Sequence, residues 1–210
     1  MRMKKLDKIR ENKKWILLGI TLALFLMILL SLLENRISAF DNRVYQILSV
    51  WISEPMTKIA TIITFFGSAL ALIIITIIVC LILAYKKQKY GKYIIINLVI
   101  ATVCNQIIKF LVARPRPEGY RLVVENGYSF PSGHTMVSMA FYGFFIYLID
   151  KKIKNPYIKW SSIILLTLLI SAIGLSRIYL GVHFASDVLA GLCFSTSYLI
   201  IFLQIIKKKL

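Results

Sequence analysis

The stretch WSSIILLTLLISAIGLSRIYLGVHFASDVLAGLCFSTSYLIIFLQII, residues 160–206, decides the fold. Two apolar blocks, Trp160–Ser176 and Phe184–Ile206, flank a short turn that carries Arg177 and His183. A helix rises about 1.5 Å per residue and the hydrocarbon of a bilayer is about 30 Å thick, so roughly 20 apolar residues make one crossing. Both blocks have about that length. Asp187 then falls at the start of a membrane helix, where a carboxylate is costly unless it has a partner.

Working outward, four further segments are long and apolar enough to span: Trp15–Leu33, Ile59–Ala84, Tyr93–Ala113 and Ser132–Ile149. The first has too long an apolar run, and no small-residue cleavage site after it, to read as a signal peptide; it is expected to be a retained anchor. The expected fold class is therefore all-α: an integral membrane bundle of six transmembrane helices, one domain over residues 1–210. Composition agrees, because 59% of the 210 residues are hydrophobic, whereas soluble domains are nearer half. The formal net charge of +17 does not signal nucleic acid, which would need a basic patch on a soluble surface. The basic residues instead lie in short runs between apolar blocks. Cys80, Cys104 and Cys193 each sit inside an apolar block without metal-ligand spacing and read as buried packing residues.

Those basic runs set the topology. They are the tail of residues 1–14 (Arg2, Lys4, Lys5, Lys8, Arg10, Lys13, Lys14), the loop of Lys86, Lys87, Lys89 and Lys92, the loop of Lys151, Lys152, Lys154 and Lys159, and the end at Lys207, Lys208 and Lys209. With six spans all four fall on one side, which the positive-inside rule makes cytoplasmic, both termini included. The other connections, residues 34–58, 114–131 and 177–183, then face outside a multi-pass cell-membrane protein. Phe40, Tyr45 and Trp51 suit residues 34–58 to an interfacial helix over the outer end, and residues 125–130 suit part of a lid.

Three polar stretches converge on that outer layer: KFLVARPRP (109–117), PSGH (131–134) and SRIYLGVHFASD (176–187). Pro115 and Pro117 stop the third span near Ala113, leaving Lys109 about one turn inside. Pro131 and Ser132 start the fourth span, Gly133 lets a ligand approach the backbone, and free amides at a helix N-terminus attract anions. His134 follows, one of only two histidines in the chain. The other, His183, lies four residues before Asp187, which puts the two on one helical face. A carboxylate on one ring nitrogen fixes the tautomer and leaves the other nitrogen free to attack.

This set suits phosphoryl transfer, whose transition state spreads charge over equatorial oxygens. Lys109, Arg116 and Arg177 supply cations, and Ser132 with nearby amides supplies donors. His183, oriented by Asp187, attacks phosphorus; His134 protonates the leaving oxygen and later activates water. Two histidines without an outer-face carboxylate cluster imply no metal and no cofactor. The partners expected are a lipid phosphate substrate and the bilayer, with no nucleic acid.

The residues resemble the type 2 phosphatidic acid phosphatase superfamily, membrane lipid phosphatases related to vanadium haloperoxidases. Its signature is Lys, six residues, Arg-Pro; then Pro-Ser-Gly-His; then Ser-Arg, five residues, His, three residues, Asp. Lys109 with Arg116-Pro117, Pro131–His134, and Ser176-Arg177 with His183 and Asp187 keep every spacing. The resemblance covers roughly residues 55–206. It implies phosphate contacts from Lys109, Arg116, Ser132, Gly133 and Arg177, with His134 as general acid, His183 as nucleophile and Asp187 orienting it. Arg114 lies outside the motif spacing and at best stands behind the phosphate contacts. The implied substrates are undecaprenyl pyrophosphate, phosphatidylglycerol phosphate or phosphatidic acid; lysine- and isoleucine-rich usage, short loops and small size favour the first two, in a bacterial setting. Two other functions fit the same residues: a transporter that only binds an anionic headgroup, with Asn97, Asn105 and Gln106 as its nearest mid-membrane polar groups, and a phosphotransferase that passes the phosphoryl group to an acceptor other than water.

Overall fold

The computed structural model describes residues 2–119 and 121–207, with side chains from residue 12 onward. The tail side chains of Arg2, Lys4, Lys5, Lys8 and Arg10, and Lys208 and Lys209 entirely, lie outside the described residues. Among the described residues there are eight helices and no strand: α1 (Arg2–Leu33), α2 (Ser38–Ser49), α3 (Glu54–Phe65), α4 (Ala69–Tyr85), α5 (Gly91–Val112), α6 (Gly133–Lys152), α7 (Pro156–Tyr179) and α8 (Ala185–Ile206).

Local chemistry explains the boundaries. Asn155 caps α7 by accepting from the amides of Tyr157 and Ile158, with Pro156 in the first turn, where its missing N–H costs nothing. α5 ends at Ala113, whose φ of 49° is left-handed. Pro115 then bars a further turn. Ser132 opens α6 and accepts from Thr135.

Length and apolar composition qualify four helices as membrane spans: Asn12–Leu33 of α1, and α5, α7 and α8. A fifth is the α3–α4 pair, bent by 47° at its break. The second expected span, Ile59–Ala84, is thus not straight. Gly67 and Ser68 interrupt it, Ser68 caps α4 through the amide of Ala71, and Tyr142 donates to the freed carbonyl of Phe66 at 2.7 Å. The fourth expected span, α6, is not among the qualifying helices. It packs against α5, α7 and α8 and buries Thr135 and Ser138 along with Phe141 and Phe144. A helix wrapped by protein has no need of an all-apolar surface.

Small residues let α6 and α8 close up. A Cβ on Gly143 would stand 2.7 Å from Leu199 Cδ2, and one on Gly191 would stand 3.2 Å from the Ser132 carbonyl. Lipid-type surface remains outside, with Leu26, Ile77, Leu165 and Ile205 exposed. The three cysteines are half-buried on helix faces rather than buried as expected. Because α5 to α8 alternate in direction, the C-terminal ends of α5 and α7 meet the N-terminal ends of α6 and α8. The lysine-rich connections 86–92 and 151–159 lie at the opposite ends of these helices.

Candidate active site

At the meeting ends a cavity of about 850 Å³ opens between α4, α5, α6 and the 113–132 connection. Lys109, Arg116, Gly133, His134 and His183 line its polar end. Leu72, Ile73, Leu98, Ile107 and Phe110 line its apolar flank. Five of the residues singled out in sequence therefore share one cavity. Ser132, Arg177 and Asp187 are buried beside them without lining it.

His183 does not begin a helix, as its spacing from Asp187 had suggested. It sits in the turn before α8, where its amide bonds the Arg177 carbonyl. Arg177 itself lies in the last turn of α7, which runs on to Tyr179. The His–Asp pair forms because Asp187 folds back over the start of α8, its Oδ2 accepting from the Phe184 amide at 2.9 Å, in the manner of a capping box. His183 Nδ1 lies 3.5 Å from that same oxygen. Ser129 Oγ bridges them, donating to Asp187 Oδ2 and standing 3.3 Å from His183 Nδ1.

The tautomer of His183 follows from its partners. Arg116 Nη1 lies 3.1 Å from Nε2, and a guanidinium can only donate. Nε2 must therefore present a lone pair, and the proton resides on Nδ1, facing Ser129 and Asp187. Burial pushes the His183 imidazole down to about 4, against the opposing pull of its hydrogen bond and charge from Asp187. The ring is neutral at neutral pH.

The cations are held by the loop above. Arg116 donates to the carbonyls of Gly127, Val182 and Asn126. Lys109 Nζ bonds the carbonyls of Tyr128 and Ser129. Arg177 donates to Thr64 Oγ1 at 3.0 Å and pairs with Glu125 Oε2, while its Nε is buried without an acceptor. Glu125 also lies 3.9 Å from Arg116. Burial would raise the Glu125 carboxyl, but Arg177, through charge and hydrogen bond, outweighs it and holds the group below its ordinary range. A carboxylate thus rests on two of the cations expected to contact phosphate. Among the described residues no three His, Cys, Asp or Glu side chains gather in metal-binding geometry.

Sequence reasoning gave no site role to Thr64 or Asp41, and placed Glu125 and Ser129 only in the expected lid of residues 125–130. Asp41 lies on α2, the helix found within the expected interfacial segment 34–58, and is 2% exposed. Its carboxylate accepts from Arg114 and Ser186. Residues 125–128 line the cavity, in the region expected to contribute a lid.

Comparison with known proteins adds to this geometry. A family model described as PAP2 superfamily matches residues 90–210. Phosphatidylglycerophosphatase B of Bacillus subtilis is 32% identical over 193 residues, covering 88% of this chain and 91% of that protein. Undecaprenyl-diphosphatase of Sulfolobus acidocaldarius is 27% identical over 189 residues, covering 87% and 85%. The crystal structure of a transmembrane PAP2 type phosphatidylglycerolphosphate phosphatase from Bacillus subtilis superposes with a TM-score of 0.84 at 24% identity, over 91% of this chain and 96% of that one. Aquifex aeolicus LpxE gives 0.62, also at 24%, over 77% and 93%. At that identity the two structures speak for the fold.

Proposed function

This chain belongs to the PAP2 superfamily, and from that premise we propose that it is a metal-independent lipid phosphatase of the cell membrane, working at the extracytoplasmic face through a phosphohistidine. The observation that carries the proposal is the His183 imidazole. Its Nε2 lone pair accepts from Arg116 at the wall of the cavity, and its Nδ1 proton faces Ser129 and Asp187.

The proposed reaction has two steps. A phosphate group enters the polar end of the cavity and takes the guanidinium of Arg116 from Nε2 and that of Arg177 from Glu125. Lys109, the Gly133 amide at the start of α6 and the capping Ser132 complete the cradle, since donors aimed at the equatorial oxygens stabilise the transition state most. His183 Nε2 forms a bond to phosphorus, the phosphorus–oxygen bond to the lipid breaks, and the leaving oxygen takes a proton from His134. Asp187 stabilises the positive charge that then develops on His183. Water next attacks the phosphohistidine, gives its proton to His134 and releases inorganic phosphate. Three cations, Lys109, Arg116 and Arg177, carry the electrostatic work near the reacting phosphorus, so no metal is invoked.

The membrane lipid reading is supported by the apolar flank of the cavity and by the family. The relatives, a phosphatidylglycerophosphatase and an undecaprenyl-diphosphatase, favour phosphatidylglycerol phosphate or a polyprenyl diphosphate, with phosphatidic acid third. The outward face is supported by the lysine-rich connections at the opposite helix ends; in this reading the bent α3–α4 pair and α6 both cross, which makes six crossings with both termini cytoplasmic. Phosphate release from detergent-solubilised protein in EDTA, across a panel of these three lipids, tests the proposal. Turnover without metal, abolished in His183→Ala and in His134→Ala, is expected. No release from any of the lipids, or complete dependence on added metal, refutes it.

A further inference from the structure

We infer that Asp41 and Arg114 are positioning residues for His183, acting through Asp187, so that α2 belongs to the reacting apparatus. This inference rests on the histidine chemistry proposed above. Neither side chain lines the cavity, and neither reaches the imidazole. Arg114 reaches the far oxygen of the carboxylate that orients it, and Asp41 reaches Arg114 and Ser186.

Arg114 bridges two buried carboxylates with one guanidinium. Its Nη1 bonds Asp187 Oδ1 at 2.6 Å and its Nη2 bonds Asp41 Oδ2 at 2.7 Å. The ring of Phe184 lies 3.9 Å from the guanidinium carbon and fixes its plane. Asp41 also grips the residue next to Asp187, accepting from Ser186 N and from Ser186 Oγ, each at 2.8 Å. Arg114 Nη1 meets the same hydroxyl at 2.8 Å. One carboxylate on α2 therefore holds both the backbone of the first turn of α8 and the arginine that pins Asp187.

The consequence lies in a single torsion. The χ2 well of an aspartate is broad, so a carboxylate held at one oxygen swings easily. Asp187 Oδ2 is held by the Phe184 amide and by Ser129, and Arg114 on Oδ1 sets the remaining rotation of the carboxylate about that oxygen. Release Oδ1 and that rotation loosens, and with it the aim of the imidazole that presents Nε2 to phosphorus. Stability alone is a poor reason for the arrangement. A buried ion pair often contributes little net stability against well-packed apolar residues, whereas a fork bonded to two fixed acceptors defines direction. A lysine at 114 keeps the charge but not the fork.

The test compares wild type, Asp41→Asn, Arg114→Lys and Ser186→Ala with His183→Ala, all as full chains in detergent micelles containing, in turn, phosphatidylglycerol phosphate, a polyprenyl diphosphate and phosphatidic acid. Misplacement of the nucleophile predicts kcat lower by on the order of 10- to 100-fold in Asp41→Asn and Arg114→Lys, with KM within about twofold of wild type, the mark of an interaction felt in the transition state alone. Should Asp41→Asn not survive purification, Arg114→Lys and Ser186→Ala carry the comparison, the latter with a smaller fall. Folded variants with wild-type kcat overturn the inference. So does a loss seen entirely in KM, which indicates a collapsed cavity instead. If wild type releases no phosphate, the phosphatase proposal fails and this inference with it. If wild type is active, His183→Ala is inactive and Arg114→Lys matches wild type, only the positioning role is lost.

Discussion

Lowering the pH should titrate one buried imidazole, and its effect on both rate and stability can be worked from the structure. His183 is 2% exposed, and burial holds it at about 4 instead of its ordinary 6.5. The folded value lies below the unfolded one, so the unfolded chain takes up the proton first as pH falls. The stabilisation is fully present above about pH 6.5, declines through the interval, and levels off below about pH 4. At about 1.4 kcal/mol per pH unit, the interval amounts to on the order of 3 kcal/mol. The same proton blocks Nε2 or disrupts its Nδ1 partner, so the acid limb of kcat/KM should begin near pH 4 and fall about tenfold per unit below it. Two assays follow: initial rates of phosphate release from pH 3 to 8, and thermal unfolding over the same range for wild type and His183→Gln, which cannot titrate. The wild-type curve should lose more stability than the variant between pH 6.5 and 4. An acid limb near 6.5, or parallel stability losses in both proteins, would refute the reasoning.

Three further outcomes are expected. Asp187→Asn places an amide where Arg114, Ser129 and the Phe184 amide all donate; phosphate release should drop on the order of 10²- to 10⁴-fold as imidazolium stabilisation is lost. Ser129→Ala removes one of those donors from a buried carboxylate and should cost roughly tenfold in kcat, near the 1–3 kcal/mol of an unmet buried group. Gly67→Ala sets a methyl 2.7 Å from Ile173 Cγ2, 2.9 Å from Ser138 Oγ and 3.4 Å from the His134 ring; unfolding assays should show about 1–3 kcal/mol lost to overpacking, with turnover impaired through the displaced imidazole.

The sequence reading reached the motif residues because each breaks a local rule: a histidine at a helix start, an aspartate in a membrane helix, arginines between prolines. Asp41 breaks one more quietly. It shares a helical stripe with Val44, Tyr45 and Leu48, which pack on Ile178, Ala185 and Val188, and a carboxylate in an apolar stripe is itself a signal. In isolation it reads as an acid in a first helical turn, favoured by the helix dipole. Ser129 and Glu125 lie in irregular chain, where no period marks the inward residue; only the folded loop brings them to Asp187 and Arg177. The break at Gly67–Ser68 was legible in composition, yet the apolar run around it was long enough to pass as one helix. α6 shows the opposite error of a hydropathy argument, since a helix surrounded by protein loses the apolar excess that marks its lipid-facing neighbours.

The interleaving of Arg114 and Arg116 around the histidine–aspartate pair also governs proton traffic. Counting Lys109 and Arg177, four cations face three carboxylates, those of Asp41, Glu125 and Asp187. With both histidines neutral the site carries one surplus positive charge. A phosphate monoester, whose second pKa is about 6, arrives at neutral pH mostly as a dianion and would leave the site one charge negative. Electroneutrality at membrane depth then favours capture of a single proton with the substrate, the number the departing oxygen requires. Calorimetric titration with inorganic phosphate, in buffers of differing ionisation enthalpy at pH 7, should register net proton uptake on phosphate binding. The ligand would in that sense deliver the acid for its own cleavage.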